Sequence, residues 1–284
     1  MQFVSYQSPT GPRAALALDG KYIDVNAADS SLPVTLKELV GLGQDGVKRA
    51  GEKARTGTPL PAGIKILAPI PDPQKVICVG LNYADHAKES GVEPPSEPVI
   101  FSKFPTAVIA HGDQIVLPKA STQVDYEAEL VVVIGRGGKN ISKADAMAHV
   151  AGYCPGHDVS ARDWQLNKPG KQWLLGKTFD TFAPYGPMLT TPDQSGDPNN
   201  LRIALRLNGT TLQDSSTAQL IFKIDELVSY ISGVVTLLPG DIIFTGTPPG
   251  VGAARKPPVF MKPGDTVEVE IENLGTLSNP CVGQ

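Results

Sequence analysis

One segment constrains the fold more than any other: Val124-Asp125-Tyr126-Glu127-Ala128-Glu129-Leu130-Val131-Val132-Val133-Ile134. Its second half is apolar at every position, which predicts a central strand covered on both faces. Side chains alternate along a strand, so Asp125, Glu127 and Glu129 would share a face with Val131 and Val133. Carboxylates side by side on a buried face repel one another and lose hydration, at a cost of several kcal/mol. A bound divalent cation removes that cost. A strand end emerging into solvent explains alternating acids equally well. If the acids are ligands, an all-oxygen set points to Mg²⁺, Mn²⁺ or Ca²⁺ rather than zinc.

The rest of the chain supplies turns and short strands around this segment. There are 29 glycines and 26 prolines among 284 residues, well above the usual combined share of about 12%. They are spread along the chain, which argues against both a helical bundle and a low-complexity tail. Strand-like runs recur at Val76 to Val79, Val99 to Ser102, Leu130 to Ile134, Leu201 to Leu207, Asp241 to Thr245 and Thr266 to Glu272. Helices are expected at Ser142 to Val150 and Ile224 to Ile231. Residues 1–63 read as a small α/β unit: two short strands across an Asp19-Gly20 hairpin turn, a capping box at Thr35 to Glu38, and a polar helix from Gln44 to Arg55. Residues 64–284 read as an α+β, β-rich domain with long functional loops.

Charge and cysteine usage narrow the function classes. A net charge of −4 and a pI near 5.6 argue against a nucleic-acid binder. No apolar run reaches the ~18 residues of a membrane span, and the N-terminal residues lack the pattern of a signal peptide. Three cysteines without paired spacing fit a reduced compartment, and a cytoplasmic protein is the expectation.

Three further segments carry candidate chemistry. Asp158, in His157-Asp158-Val159-Ser160-Ala161-Arg162-Asp163, would complete a three-carboxylate set; read alone, the segment is a polar loop with surface ion pairs. His86 and Glu89 lie three apart on a short helix at the end of a strand, so the carboxylate can orient the imidazole as a general base. An exposed helical pair of little energetic weight is the plain alternative. Lys177 sits in an apolar, glycine-bordered run, where it either stabilises an anion or snorkels outward. Thr245-Gly246-Thr247-Pro248-Pro249-Gly250-Val251-Gly252 presents glycine-rich backbone at a strand end, suited to an anion or simply to a tight turn. The chain has no Walker motif, no dinucleotide fingerprint, no Cys/His cluster and no nucleophile elbow.

Taken in order, Gly80-Leu81-Asn82-Tyr83-Ala84-Asp85-His86, Asp125 to Leu130, His157 to Asp163, Gly176-Lys177-Thr178-Phe179-Asp180 and Thr245-Gly246-Thr247-Pro248 resemble the fumarylacetoacetate hydrolase family over roughly residues 66–284. The resemblance implies a mixed β-roll and sandwich core, a homodimer and a catalytic Mg²⁺ or Mn²⁺, with Ca²⁺ able to take its place in crystals. It implies Glu127, Glu129 and Asp158 as metal ligands, and Asp125 as a group behind them. His86 and Glu89 become a water-activating dyad on a lid that orders on binding, and Lys177 stabilises substrate charge. Arg162, Gln165, Thr217 and Thr247 become substrate-binding residues. The implied reaction acts on a small anionic 2-oxo acid through an enolate held on the metal, with no nucleic acid or membrane partner. Hydrolytic C–C cleavage of an acylpyruvate or fumarylpyruvate is placed first. Oxaloacetate tautomerisation, with which the branch most resembled is associated, decarboxylation and 2-hydroxyhepta-2,4-diene-1,7-dioate isomerisation follow. A non-catalytic metal- or metabolite-binding β protein is the reading outside enzymology.

Overall fold

The computed structural model describes residues 1–91 and 93–284, with the side chain of Ser90 left aside. In chain order the first strands are β1 (Gln2–Ser8), β2 (Gly11–Leu18), β3 (Lys21–Asp24), β4 (Val76–Gly80), β5 (Val99–Lys103), β6 (Ile115–Leu117) and β7 (Ala128–Ile134). They are followed by β8 (Val150–His157), β9 (Leu189–Thr190), β10 (Arg202–Leu207), β11 (Thr210–Ser216), β12 (Ile242–Phe244), β13 (Thr266–Ile271) and β14 (Gly275–Gly283). The main helices are α1 (Leu36–Val40), α2 (Gly43–Ala54), α3 (Ala84–Ser90), α4 (Arg162–Asn167), α5 (Trp173–Lys177) and α6 (Ile224–Val234).

The strands form two principal sheets. The larger runs β3-β2-β1-β9-β8-β7-β12-β4-β5, and the smaller runs β11-β10-β13-β14-β6. Both are mixed: β12 pairs parallel to β4 and β14 parallel to β6, while their other pairings are antiparallel. Strand β7 is buried at every position. Leu130, Val132 and Ile134 face a core shared with Ile203, Leu205 and Val269 of the smaller sheet and with Leu227 and Val228 of α6. Val131 and Val133 face a second core shared with Leu36, Leu39 and Val47 of α1 and α2. The unbroken apolar run therefore has the two-sided cover that its composition demands. Each such buried aliphatic side chain contributes about 1.5–3 kcal/mol relative to exposure.

Residues 1–63 do not build a sheet of their own. Strand β1 joins the larger sheet through β9 (Gln2 opposite Thr190), and the helices that follow cover its second core. Their local signals hold: Asp19 and Gly20 have φ of 49° and 73°, the left-handed pair of a tight hairpin. Thr35 and Glu38 exchange the two capping-box bonds at the start of α1.

Two local expectations fail. The stretch from Ser142 to Val150 is not an α-helix; it is a turn closed by Ser142 on Asp145, then one 3₁₀ turn at Ala146–His149. Val150 instead opens β8, whose ladder with β7 reaches back to Ile134, so sheet pairing overrides a weak local helix signal. The acidic segment is also not one strand: Val124–Asp125 pairs separately with Ser160–Ala161. Asp125 is thus detached from the strand that carries Glu129.

Candidate active site

The register of two central strands gathers the acids. Ala128 lies opposite His157 and Glu129 opposite Gly156, so the start of β7 meets the end of β8. One residue past that end, the Asp158 amide donates to Glu127 O at 3.0 Å. Glu127, Glu129 and Asp158 consequently bring one oxygen each within 4.8 Å of one another, and all three residues are buried.

Three buried cations answer them. Lys177, at the end of α5, donates to Glu127 Oε2 at 2.7 Å and Asp158 Oδ2 at 2.9 Å. Arg162, at the start of α4, spans Asp125 Oδ2 (2.8 Å), Glu127 Oε1 (2.6 Å) and Gln165 Oε1 (2.9 Å). Lys103, at the end of β5, places Nζ 2.6 Å from Asp158 Oδ1 and donates to the carbonyls of Val159, Lys177 and Phe182. Lys103 is not among the sequence candidates, because the strand-like run Val99 to Ser102 stops one residue short of it. Its signal was the alternation Phe101, Lys103, which puts it on the face that borders the site.

These neighbours divide the acids electrostatically. Burial opposes the charge of Glu127, but Lys177 and Arg162 outweigh it and hold its carboxyl below the ordinary range. Burial pushes Glu129 well above that range, and Asp158 and Glu127 push in the same direction. Lys177 is held charged by Asp158 and Glu127 against the cost of its burial. Burial, reinforced by Lys103, lowers His157 to about 3, so the imidazole beside Asp158 is neutral. One carboxylate is thus left without adequate compensation, the situation that a divalent cation relieves.

The glycine-rich loop after β12 does present amides to anions, and those anions are the protein's own. Gly246 N donates to Glu129 Oε2 at 2.8 Å, and Gly252 and Ala253 donate to Asp125 at 2.7 and 3.0 Å. Gly250 N donates to Glu89 at 3.1 Å. At Gly252 a Cβ would stand 1.8 Å from Val259 O and 2.5 Å from Asp125 Oδ1, so only glycine fits beneath the carboxylate.

A cleft of about 630 Å³ opens over the acids. Glu127, Glu129, Arg162, Gln165 and Lys177 line its floor; His86, Thr247, Phe101, Lys171 and Trp173 line its walls. His86 and Glu89 lie on α3, with His86 Nδ1 3.1 Å from Glu89 Oε2. The helix ends at Gly91 in the left-handed conformation; the lid that the resemblance implies continues into Val92, which lies outside the described residues. Gln213 ties Thr247 in place at 2.9 Å and holds the Ala128 amide at 2.8 Å. Thr217 is not in the cleft. Its hydroxyl accepts from Leu201 N at 2.8 Å, so it is committed to holding a 3₁₀ turn. The local match that made it a substrate ligand carried no information on where that turn packs.

Residues 75–282 match the family described as fumarylacetoacetate (FAA) hydrolase C-terminal. The chain is 52% identical, over 99% of its length and 92% of the relative's, to oxaloacetate tautomerase FAHD2A, mitochondrial, of Bos taurus. The solved fumarylacetoacetate hydrolase of Exiguobacterium antarcticum superposes with a TM-score of 0.86 at 33% identity, each chain covered in full. The 5-carboxymethyl-2-hydroxymuconate delta-isomerase of Mycobacterium smegmatis gives 0.79 at 38%, covering 100% of this chain and 99% of that one. The expected cytoplasmic location is overturned: the cattle relative is named mitochondrial, and reduced cysteines do not separate those two compartments. A buried three-carboxylate floor, a mixed β-rich core and similarity along nearly the whole chain converge on one conclusion: the protein is an enzyme of the fumarylacetoacetate hydrolase family, in its FAHD2-like branch.

Proposed function

We propose that this enzyme interconverts the enol and keto forms of oxaloacetate or a closely similar small 2-oxo dicarboxylate, with Mg²⁺ or Mn²⁺ held by Glu127, Glu129 and Asp158. The observation that carries the reading is the similarity to the cattle oxaloacetate tautomerase along 99% of the chain. It displaces C–C hydrolysis from first place.

The donor set suits a hard cation: three buried carboxylates with oxygens in mutual reach. Bound there, the cation polarises the 2-oxo-carboxylate end of the substrate and lowers the cost of its enolate. The protein groups do the rest. Four buried carboxylates (Asp125, Glu127, Glu129, Asp158) face three buried cations (Lys103, Arg162, Lys177), a floor that would become net positive toward an anionic substrate with a divalent ion held by Glu127, Glu129 and Asp158. Lys177 keeps Glu127 and Asp158 in position and brings positive charge to where the substrate oxygen becomes anionic. His86, oriented through Nδ1 by Glu89, has Nε2 free to exchange a proton with C3. In the ketonising direction the hydroxyl proton passes from the oxygen on C2 to solvent as His86 delivers another to C3; no water is consumed and no C–C bond breaks.

Decay of the ultraviolet absorbance of enol-oxaloacetate, followed with Mg²⁺ and with chelator, tests this. A metal-dependent rate well above that of buffer supports it; decay at the buffer rate overturns it. Hydrolysis is the second reading, favoured by the intact His86–Glu89 pair at the cleft. Its sign would be cleavage of acetylpyruvate or fumarylpyruvate in parallel assays. The homodimer that the family implies is supported by an apolar groove of about 670 Å³ beside β5, an edge strand of the larger sheet. Equilibrium sedimentation reads the assembly directly.

A further inference from the structure

We propose that Lys171 is a specificity-determining residue of the cleft, one that binds the distal carboxylate of a dicarboxylate substrate. This rests on the reading above, that the proximal 2-oxo-carboxylate end goes to the acidic floor.

Two other permanent cations line the cleft, Arg162 and Lys177, and both are committed to the protein's own carboxylates. Lys103 lies against Asp158 and is surrounded by backbone carbonyls. Lys168, on the same loop as Lys171, rests over the Trp164 ring at 4.5 Å. Among the described residues, Lys171 is the permanent cation that lines the cleft and makes no ion pair.

Its presentation is built into the backbone. Lys168-Pro169-Gly170-Lys171 is a tight turn closed by Lys171 N on Lys168 O at 3.0 Å, with Gly170 at φ 77°, the arrangement that proline followed by glycine favours. Lys171 itself is held at φ 53°, a conformation that a non-glycine residue adopts at some cost. Its carbonyl then accepts from Trp173 N at 2.9 Å. Trp173 packs edge-on to Phe101 with ring centroids 5.6 Å apart and covers Gly80, where a Cβ would come within 2.5 Å of the indole. The lysine is therefore delivered to the wall of the cleft by a turn anchored on two aromatic rings. An ammonium there offers nothing to an acyl tail and a charge-assisted partner to a carboxylate.

The test compares two substrates that differ at the distal end. Lys171→Ala, Lys171→Glu and Lys171→Arg enzymes are assayed with the enols of oxaloacetate and of acetylpyruvate, which lacks the second carboxylate. The ratio of kcat/KM for oxaloacetate over acetylpyruvate should fall about five- to tenfold in Lys171→Ala and further in Lys171→Glu, mostly through KM, and recover in Lys171→Arg. The fall should shrink as salt is raised. A ratio within twofold of the parent in all three variants overturns the assignment. Should neither enol be turned over by the parent enzyme, the tautomerase reading fails by itself. The Lys171 assignment is then read from calorimetric Kd values for 2-oxoglutarate and 2-oxopentanoate in Mg²⁺: loss of the parent's preference for the dicarboxylate in Lys171→Ala sustains it, and an unchanged preference refutes it.

Discussion

The floor of the cleft and its rim hold their functional groups in opposite ways. At the floor, Glu127, Glu129 and Asp158 are buried and each is gripped by charges or amides from distant parts of the chain: Lys177 and Arg162 on Glu127, Gly246 on Glu129, Lys103 and Lys177 on Asp158. At the rim, His86 and Glu89 sit on one short helix without a side-chain N-cap, held to the loop beyond β12 by Gly250. A buried charge network is costly to break because each removed partner leaves another charge stranded. A partly exposed pair can be altered with little effect on folding. The floor therefore couples function to stability, and the rim does not.

Four substitutions test that contrast, the largest effect first. Lys177→Met leaves Glu127 and Asp158 facing each other and removes the charge nearest the substrate oxygen. Stability should fall by about 3–5 kcal/mol and turnover by on the order of 10²–10³, read by chemical denaturation and the enol assay. His86→Asn should lower kcat by about 10²–10⁴ while the melting temperature moves by no more than about 2 °C. A large drop in melting temperature would show that the rim is structurally tied after all.

Glu129→Gln probes the floor without metal. Burial, then Asp158 and Glu127, raise the folded pKa of Glu129 above its ordinary value of about 4.5, so its ionisation costs the folded state stability. That cost starts near pH 4.5 and grows until the pH passes the raised folded value. In chelator, Glu129→Gln should melt above the parent at neutral pH, and the gap should close toward pH 4.5. Mg²⁺ should raise the melting temperature of the parent more than that of the variant, since binding to the folded state adds stability by mass action. Thr217→Val should have the smallest effect: turnover within twofold, and a loss of about 1 kcal/mol from the Leu201 amide bond. A strong loss of activity would return Thr217 to the cleft.

Much of the floor was legible in the chain itself. The acids ahead of the apolar run and Lys177 are chemically conspicuous because charged residues in apolar surroundings require partners, whereas the polar Asp158 segment joins them only through the family resemblance. Short-range signals were equally readable: the Asp19-Gly20 turn and the Thr35 capping box depend on neighbours within a few residues, and both form. What failed were properties set at long range. The expected helix from Ser142 is instead a turn and one 3₁₀ turn, and it stops at Val150 because that residue pairs with Ile134 of β7. Thr217 looked like Thr247 in isolation, and only packing sent one to a turn and the other to the cleft.

By itself, then, the order of residues determined that a doubly covered strand runs through the protein with acids at its start, and that a histidine–carboxylate pair and a lysine in an apolar run were at hand. Tertiary structure alone decided which cations meet which acids. Lys103 reaches Asp158 across 55 residues of sequence, and Gly246 reaches Glu129 across 117. It also decided that the glycine loop serves the protein's own carboxylates, and that Lys171 lines the wall without an ion pair among the described residues. The physical reason is range. Propensity and alternation act over one turn or one strand, whereas Coulomb and hydrogen-bond partners are chosen by the register of strands that the chain brings together from far apart.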